Sequence, residues 1–190
     1  MPQSRHLNLP DGHPLPWWAA GADDTPAALA EALGGASGGG PVLVLAGGDD
    51  DIAPDLLPRL TQVVARGLVR TLRELAAQSG RQAHCVVRAC GAGLPSLLGQ
   101  AVIDGGQTLK LIGVAPEGAL ADPANGSPVS GLTQLVTWPG AAWSDTWRAR
   151  SDLATHLAGA GGPPLLLLIG GGPGAVAEVL QAARRGWPVL

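Results

Sequence analysis

Apolar residues in this chain of 190 residues fall into short unbroken runs separated by longer stretches of helical period. Val42-Leu43-Val44-Leu45-Ala46 is apolar at every position, between Pro41 and Gly47-Gly48. A run that short, without alternation, predicts a strand buried on both faces. Ala83 to Arg88, Leu109 to Ala115 and Leu165 to Ile169 predict further strands, and Val189-Leu190 begins another. From Leu132 to Trp138, Leu132, Gln134, Val136 and Trp138 alternate with Thr133, Leu135 and Thr137, which also predicts a strand.

Helical spacing fills the intervals. Thr25 is placed to cap a short helix that runs through Leu33, with Pro26 at its first position. Leu56, Leu60, Val63, Val64, Leu68, Leu72 and Leu75 predict a long helix ending before Gly80, with Pro54 and Pro58 in or before its first turn. Leu94 to Ile103, Trp143 to Leu157 and Gly174 to Arg185 predict three more. Gly105-Gly106 and Gly186 stand where helices would stop. Repeated strand, turn and helix predict an α/β fold: a Rossmann-like, doubly wound, mainly parallel sheet with helices on both faces.

Residues 1–40 are expected to form an N-terminal arm with the short helix and a Gly/Ser linker, Trp17 and Trp18 pinning the arm to the rest. Residues 41–190 are expected to form the Rossmann-like domain. Because Leu190 falls inside an apparent core strand, that strand is expected to be truncated.

Composition narrows the function. The formal charge is −3, and no stripe of lysine or arginine supports nucleic-acid binding. Arg66, Arg70 and Arg73 read as a solvated helix face. The longest apolar run near the C-terminus, from Pro163 to Ile169, is too short to span a bilayer, and no apolar stretch follows Arg5, so a signal peptide is not expected. A strand over residues 83–88 would hold Cys85 and Cys90 too far apart for a disulfide, so two buried thiols in a cytoplasmic protein are expected.

The candidate chemistry lies at the glycine turns. Leu165 to Ile169 runs into Gly170-Gly171-Gly172-Pro173-Gly174 and then a helix carrying Glu178. Glycines allow close backbone approach, and the N–H groups and dipole at a helix start favour an anion. Glu178, about one turn in, is placed to meet a ribose hydroxyl. Gly47-Gly48 and Gly91-Ala92-Gly93 follow two other strands, so three turns should converge on one crevice at the sheet's C-terminal edge.

Other groups are weaker. Asp49-Asp50-Asp51 carries oxygen ligands for Mg²⁺ but equally suits a helix N-terminus. His84 and Cys85 point to opposite strand faces and do not make a zinc site with Cys90. Ser144, Asp145 and His156 lack a nucleophile-elbow context, and Ser96 sits in Gly-Leu-Pro-Ser. Trp138, Trp143 and Trp147 are core residues or stacking surfaces for a base.

Gly171-Gly172-Pro173-Gly174 with Glu178 resembles the Gly-Gly-x-Gly-Thr-x-x-Glu signature of the SLOG superfamily, which includes the LOG or lysine decarboxylase-like nucleotide phosphoribohydrolases. The run from Pro41 to Leu190 is more similar to the prokaryotic LSDAT branch, related to the ligand-sensing domain of TRPM channels. Val42 to Gly48, Leu111 to Pro116 and the Trp143–Trp147 segment carry that likeness.

The resemblance implies a sensor for a nucleotide derivative such as ADP-ribose or NAD, bound through Gly47, Gly48, Gly91, Gly93, Gly171, Gly172, Gly174 and Glu178. It leaves room for a homodimer and for an effector beyond Leu190. An alternative is hydrolysis of a nucleotide N-glycosidic bond with Glu178 as acid/base, and another is a scaffold that binds nothing. Departures from the hydrolases weigh against catalysis. Ala175 replaces their Thr, Gly170 replaces a Pro, and the turn at Gly91 to Leu94 is reduced. The arginine they place beside the glutamate has no clear counterpart, Arg88 being the nearest candidate.

Overall fold

The computed structural model describes residues 2–9, 14–34, 39–47, 53–106, 108–122, 127–140 and 142–190. Its strands are β1 (Gln3–Asn8), β2 (Pro14–Ala19), β3 (Val42–Ala46), β4 (His84–Arg88), β5 (Lys110–Pro116), β6 (Gln134–Trp138) and β7 (Leu165–Leu168). They form one sheet in the order β1-β2-β6-β5-β4-β3-β7. Apart from the antiparallel β1–β2 hairpin, every pairing of these strands is parallel.

Each unbroken apolar run feeds two cores, because successive side chains point to opposite faces. From β3, Leu43 and Leu45 enter one cluster, and Val42, Val44 and Ala46 the other. On the first face lie the long helical segment and α4 (Leu94–Asp104), which supply Val64, Val69, Leu72, Leu94, Leu98 and Val102. The second face is covered by α1 (Pro26–Ala32), α5 (Trp143–Ala158) and α6 (Pro173–Arg184). They supply Leu29, Leu153, Leu157 and Ala182. The doubly wound α/β architecture follows from this two-sided burial, each fully buried Leu contributing ~1.5–3 kcal/mol.

Two local features differ from the linear pattern. The first residues form a hairpin, and β2 adds to the sheet parallel to β6, with Trp17 opposite Leu135. Trp17 Nε1 donates to Thr137 Oγ1 at 3.0 Å, and Trp18 packs on the second core. An edge hairpin needs no continuous apolar run, so its strands carry little periodic signal.

The long helix is also not uniform. It comprises α2 (Leu57–Gln62), a π-helical stretch (Val63–Val69) and α3 (Arg70–Ser79), with Gly80 left-handed at its end. Wider π turns rotate the following face away from a 3.6-residue period. Val64 and Leu72 are accordingly buried, while Leu56, Val63 and Leu75 are exposed.

Thr25 caps α1 as the sequence predicts, accepting from the Ala28 N–H. At the chain end, Val189 bridges Leu166 in the parallel sense.

The connections place a crevice. From β3 the chain steps through β4 and β5 to β6 in one direction, and β7 then lies on the other side of β3. Strand order therefore reverses between β3 and β7. In open α/β sheets such a reversal leaves a ligand crevice beyond the strands' C-terminal ends.

Candidate functional site

The turns after β3 and β7 meet backbone to backbone at that reversal. Ile169 N–H donates to Ala46 O at 3.2 Å, which carries the strand pairing into the turns. A Cβ on Gly47 would lie 2.7 Å from Gly170 O, and one on Gly171 would lie 2.6 Å from the Ala175 Cβ and 3.1 Å from the Gly47 Cα. Both glycines also have positive φ, +75° and +108°. Only glycine fits this contact without strain.

The consequence is an open start to α6. Gly170, Gly171, Gly172, Pro173 and Gly174 are all exposed, whereas Ala175 and Glu178 turn inward. Cβ atoms on Gly172 and Gly174 would meet nothing within 4 Å. Backbone N–H groups in such a turn attract anions, and the helix dipole adds to the attraction.

Beneath this turn lies an ion pair that the linear sequence does not announce. Glu178 is 5% exposed and Arg150, on α5, is 8% exposed. Arg150 Nη2 donates to Glu178 Oε1, and Arg150 Nη1 donates to Leu45 O at 3.4 Å. One guanidinium thus ties α5, the end of β3 and α6 together under the glycine turns. Glu178 Oε2 is buried without a hydrogen-bond partner among the described residues.

The arginine beside the glutamate is therefore Arg150 rather than Arg88. Arg88 ends β4 and stacks over the Trp143 ring, 4.0 Å from its centroid. Its signal in the sequence is position: Arg150 shares the helical stripe of Leu153, Ala154 and Leu157, where an arginine must be paired to be buried.

The other expected residues are distributed as follows. Gly91 and Gly93 lie at the same sheet edge after β4, with φ of +122° and +70°. Ser96 Oγ donates to Gly91 O, and residues 128–129 pair with residues 89–90, so this turn is partly covered. Gly48 and Asp49-Asp50-Asp51 lie outside the described residues. No metal-binding group of His, Cys, Asp or Glu occurs among the described residues.

Cys85 and Cys90 are free and buried, and burial pushes the Cys85 thiol up to about 12. Ser144 and His156 are twelve positions apart on α5, about 18 Å along the axis, which rules out a triad between them. Arg70 pairs with Glu74 on an exposed helix face at 2.8 Å. Trp138 packs on the second core. No helix among the described residues is long and apolar enough to cross a membrane.

His84 sits at the opposite end of the sheet, beside a cavity of about 140 Å³ lined by Gly39, Gly40 and Leu157. Burial, and secondarily the Lys110 charge, lower its pKa to about 4. An unfolded histidine titrates near 6.5. Folding thus favours the neutral ring, and that contribution is complete above pH 6.5 and lost as pH falls toward 4. The melting temperature should drop across that window in the wild type and drop less in His84→Leu. Parallel pH profiles for the two proteins would contradict this assignment.

The sheet order, the reversal at β3 and β7, and the glycine turn over a buried Arg–Glu pair define a Rossmann-like, doubly wound α/β domain. More specifically, the chain belongs to the family described as SLOG in TRPM, prokaryote, whose model matches residues 40–190. No curated protein matches the chain. Among solved structures, it is similar to the molybdenum cofactor carrier protein from Chlamydomonas reinhardtii. That match has 17% identity and a TM-score of 0.48, and covers 78% of this chain and 74% of that one.

Proposed function

We propose that this domain binds a nucleotide derivative of the ADP-ribose or NAD class and serves as its sensor. The observation that carries the reading is the exposed turn from Gly170 to Gly174, held open by the Gly47–Gly171 backbone contact. A phosphate would take the N–H groups at the start of α6, and the sugar would lie toward the turns after β3 and β4. Membership of the SLOG family supports this assignment. Two free, buried thiols suit a cytoplasmic setting.

ADP-ribose at a hundred times its Kd should add about 2.7 kcal/mol to stability. For a chain of this length that is a rise of several degrees in melting temperature. A panel of ADP-ribose, NAD, AMP and ADP that leaves the melting temperature unchanged would overturn the proposal.

One observation favours a second reading. The Arg150–Glu178 pair supplies the arginine and glutamate that the phosphoribohydrolases require, and a glutamate at a sugar can act as acid or base. The burial of both side chains and Ala175 in place of Thr favour binding without cleavage. Incubation with nucleoside monophosphates should release no free base. Release that disappears in Glu178→Gln would establish the hydrolase instead.

A further inference from the structure

Arg88 stacks on Trp143 at the sheet's C-terminal edge, the edge that also carries the glycine turn. Trp143 opens α5, which covers the second face of the sheet, yet the Trp143 side chain packs against the cluster on the first face. The indole therefore lies over the C-terminal edge of the sheet. Arg88, half-buried at the end of β4, reaches that same edge and lays its guanidinium 4.0 Å from the ring centroid.

α5 and α6 both follow strands of the parallel sheet, so both start at the C-terminal edge. β4 and β7 flank β3 in the sheet. The end of β4, which carries Arg88, and the turn after β7 therefore lie two strand spacings apart at that edge, about 10 Å. That is the scale of a nucleoside phosphate.

We propose that the Arg88–Trp143 stack is the base wall of the crevice, taking a purine ring while the α6 turn takes the phosphate end. This rests on the nucleotide reading above. A guanidinium held over an indole is a planar cation, and guanidinium planes are a recurrent stacking surface for bases. Trp143 supplies the order: its ring contact restrains the guanidinium before the ligand arrives. A purine offers the larger ring area to such a surface than a pyrimidine does.

Calorimetric titration with AMP, UMP and ribose 5-phosphate tests this. The wild type should bind AMP about tenfold more tightly than ribose 5-phosphate, a typical effect of stacking one base, with UMP between them. Arg88→Ala should abolish that advantage and leave the affinity for ribose 5-phosphate unchanged. Arg88→Lys, which keeps the charge and loses the plane, should also abolish it. Circular dichroism checks that both variants are folded, and Trp143→Leu provides a second removal of the stack.

Equal binding of AMP and ribose 5-phosphate by the wild type would overturn the base wall. So would an equal loss of both ligands in Arg88→Ala with rescue by Arg88→Lys, which marks a phosphate clamp. If none of the three ligands binds but ADP-ribose does, an ADP-ribose affinity unchanged in Arg88→Ala overturns it. Failure of every nucleotide would overturn the nucleotide reading, and the base wall with it.

Discussion

Replacing Arg150 by Met should destabilise the fold by about 3–5 kcal/mol, the cost of leaving a buried charge without its partner. Arg150 and Glu178 are both more than nine-tenths buried, so water does not take the place of the missing group. The loss has two parts. Glu178 keeps a carboxylate inside the fold, and the Leu45 carbonyl loses the Nη1 donor that reaches it from α5. Glu178→Leu should cost a similar amount because the guanidinium is then stranded.

The double variant Arg150→Met/Glu178→Leu should recover most of the loss, since apolar side chains of similar volume often replace a buried ion pair without penalty. Urea unfolding of the four proteins gives the comparison. Single-variant losses below about 1 kcal/mol, the range of exposed ion pairs, would mean that solvent reaches the pair.

The second large effect is expected at Gly171. A methyl group there would sit 2.6 Å from the Ala175 Cβ in a backbone conformation with φ of +108°. Strain and overpacking of this kind cost about 1–3 kcal/mol. The turn can relieve the clash only by moving away from Gly47 or by shifting the start of α6. Gly171→Ala should therefore lose ligand-induced stabilisation as well as intrinsic stability.

Gly174→Ala is the control. Its Cβ meets nothing within 4 Å, and the residue lies inside α6. It should keep or slightly raise stability, as alanine does in helices. A Gly171→Ala protein as stable as Gly174→Ala would show that the two turns do not depend on their close approach.

The fold was readable in the sequence where burial is two-sided. Parallel strands covered by helices on both faces need continuous apolar runs: β3 and β7 are apolar throughout, and β4 and β5 are apolar apart from His84, Arg88 and Lys110 at their ends. Thr25 and Gly80 marked helix ends because capping demands those residue types. The hairpin of β1 and β2 was not readable, because an edge position with exposed residues imposes no pattern. The π-helical stretch left no mark either, since apolar residues at helical spacing look the same until one turn widens.

At the site, the glycines and Glu178 were visible because backbone contact requires particular residues in sequence. Arg150 is brought to Glu178 only by the packing of α5 against α6. Its one linear trace is a charge on an apolar stripe, and that trace does not say which carboxylate it meets.

The most direct test of nucleotide binding at the α6 turn is an ADP-ribose titration followed through the backbone amides by ¹H–¹⁵N NMR. The amides of Gly171, Gly172 and Gly174 should shift strongly and saturably, with those of Gly39 and Gly80, at the far end of the sheet, unmoved. Saturable binding that leaves the three turn glycines unshifted would contradict the account, as would no binding.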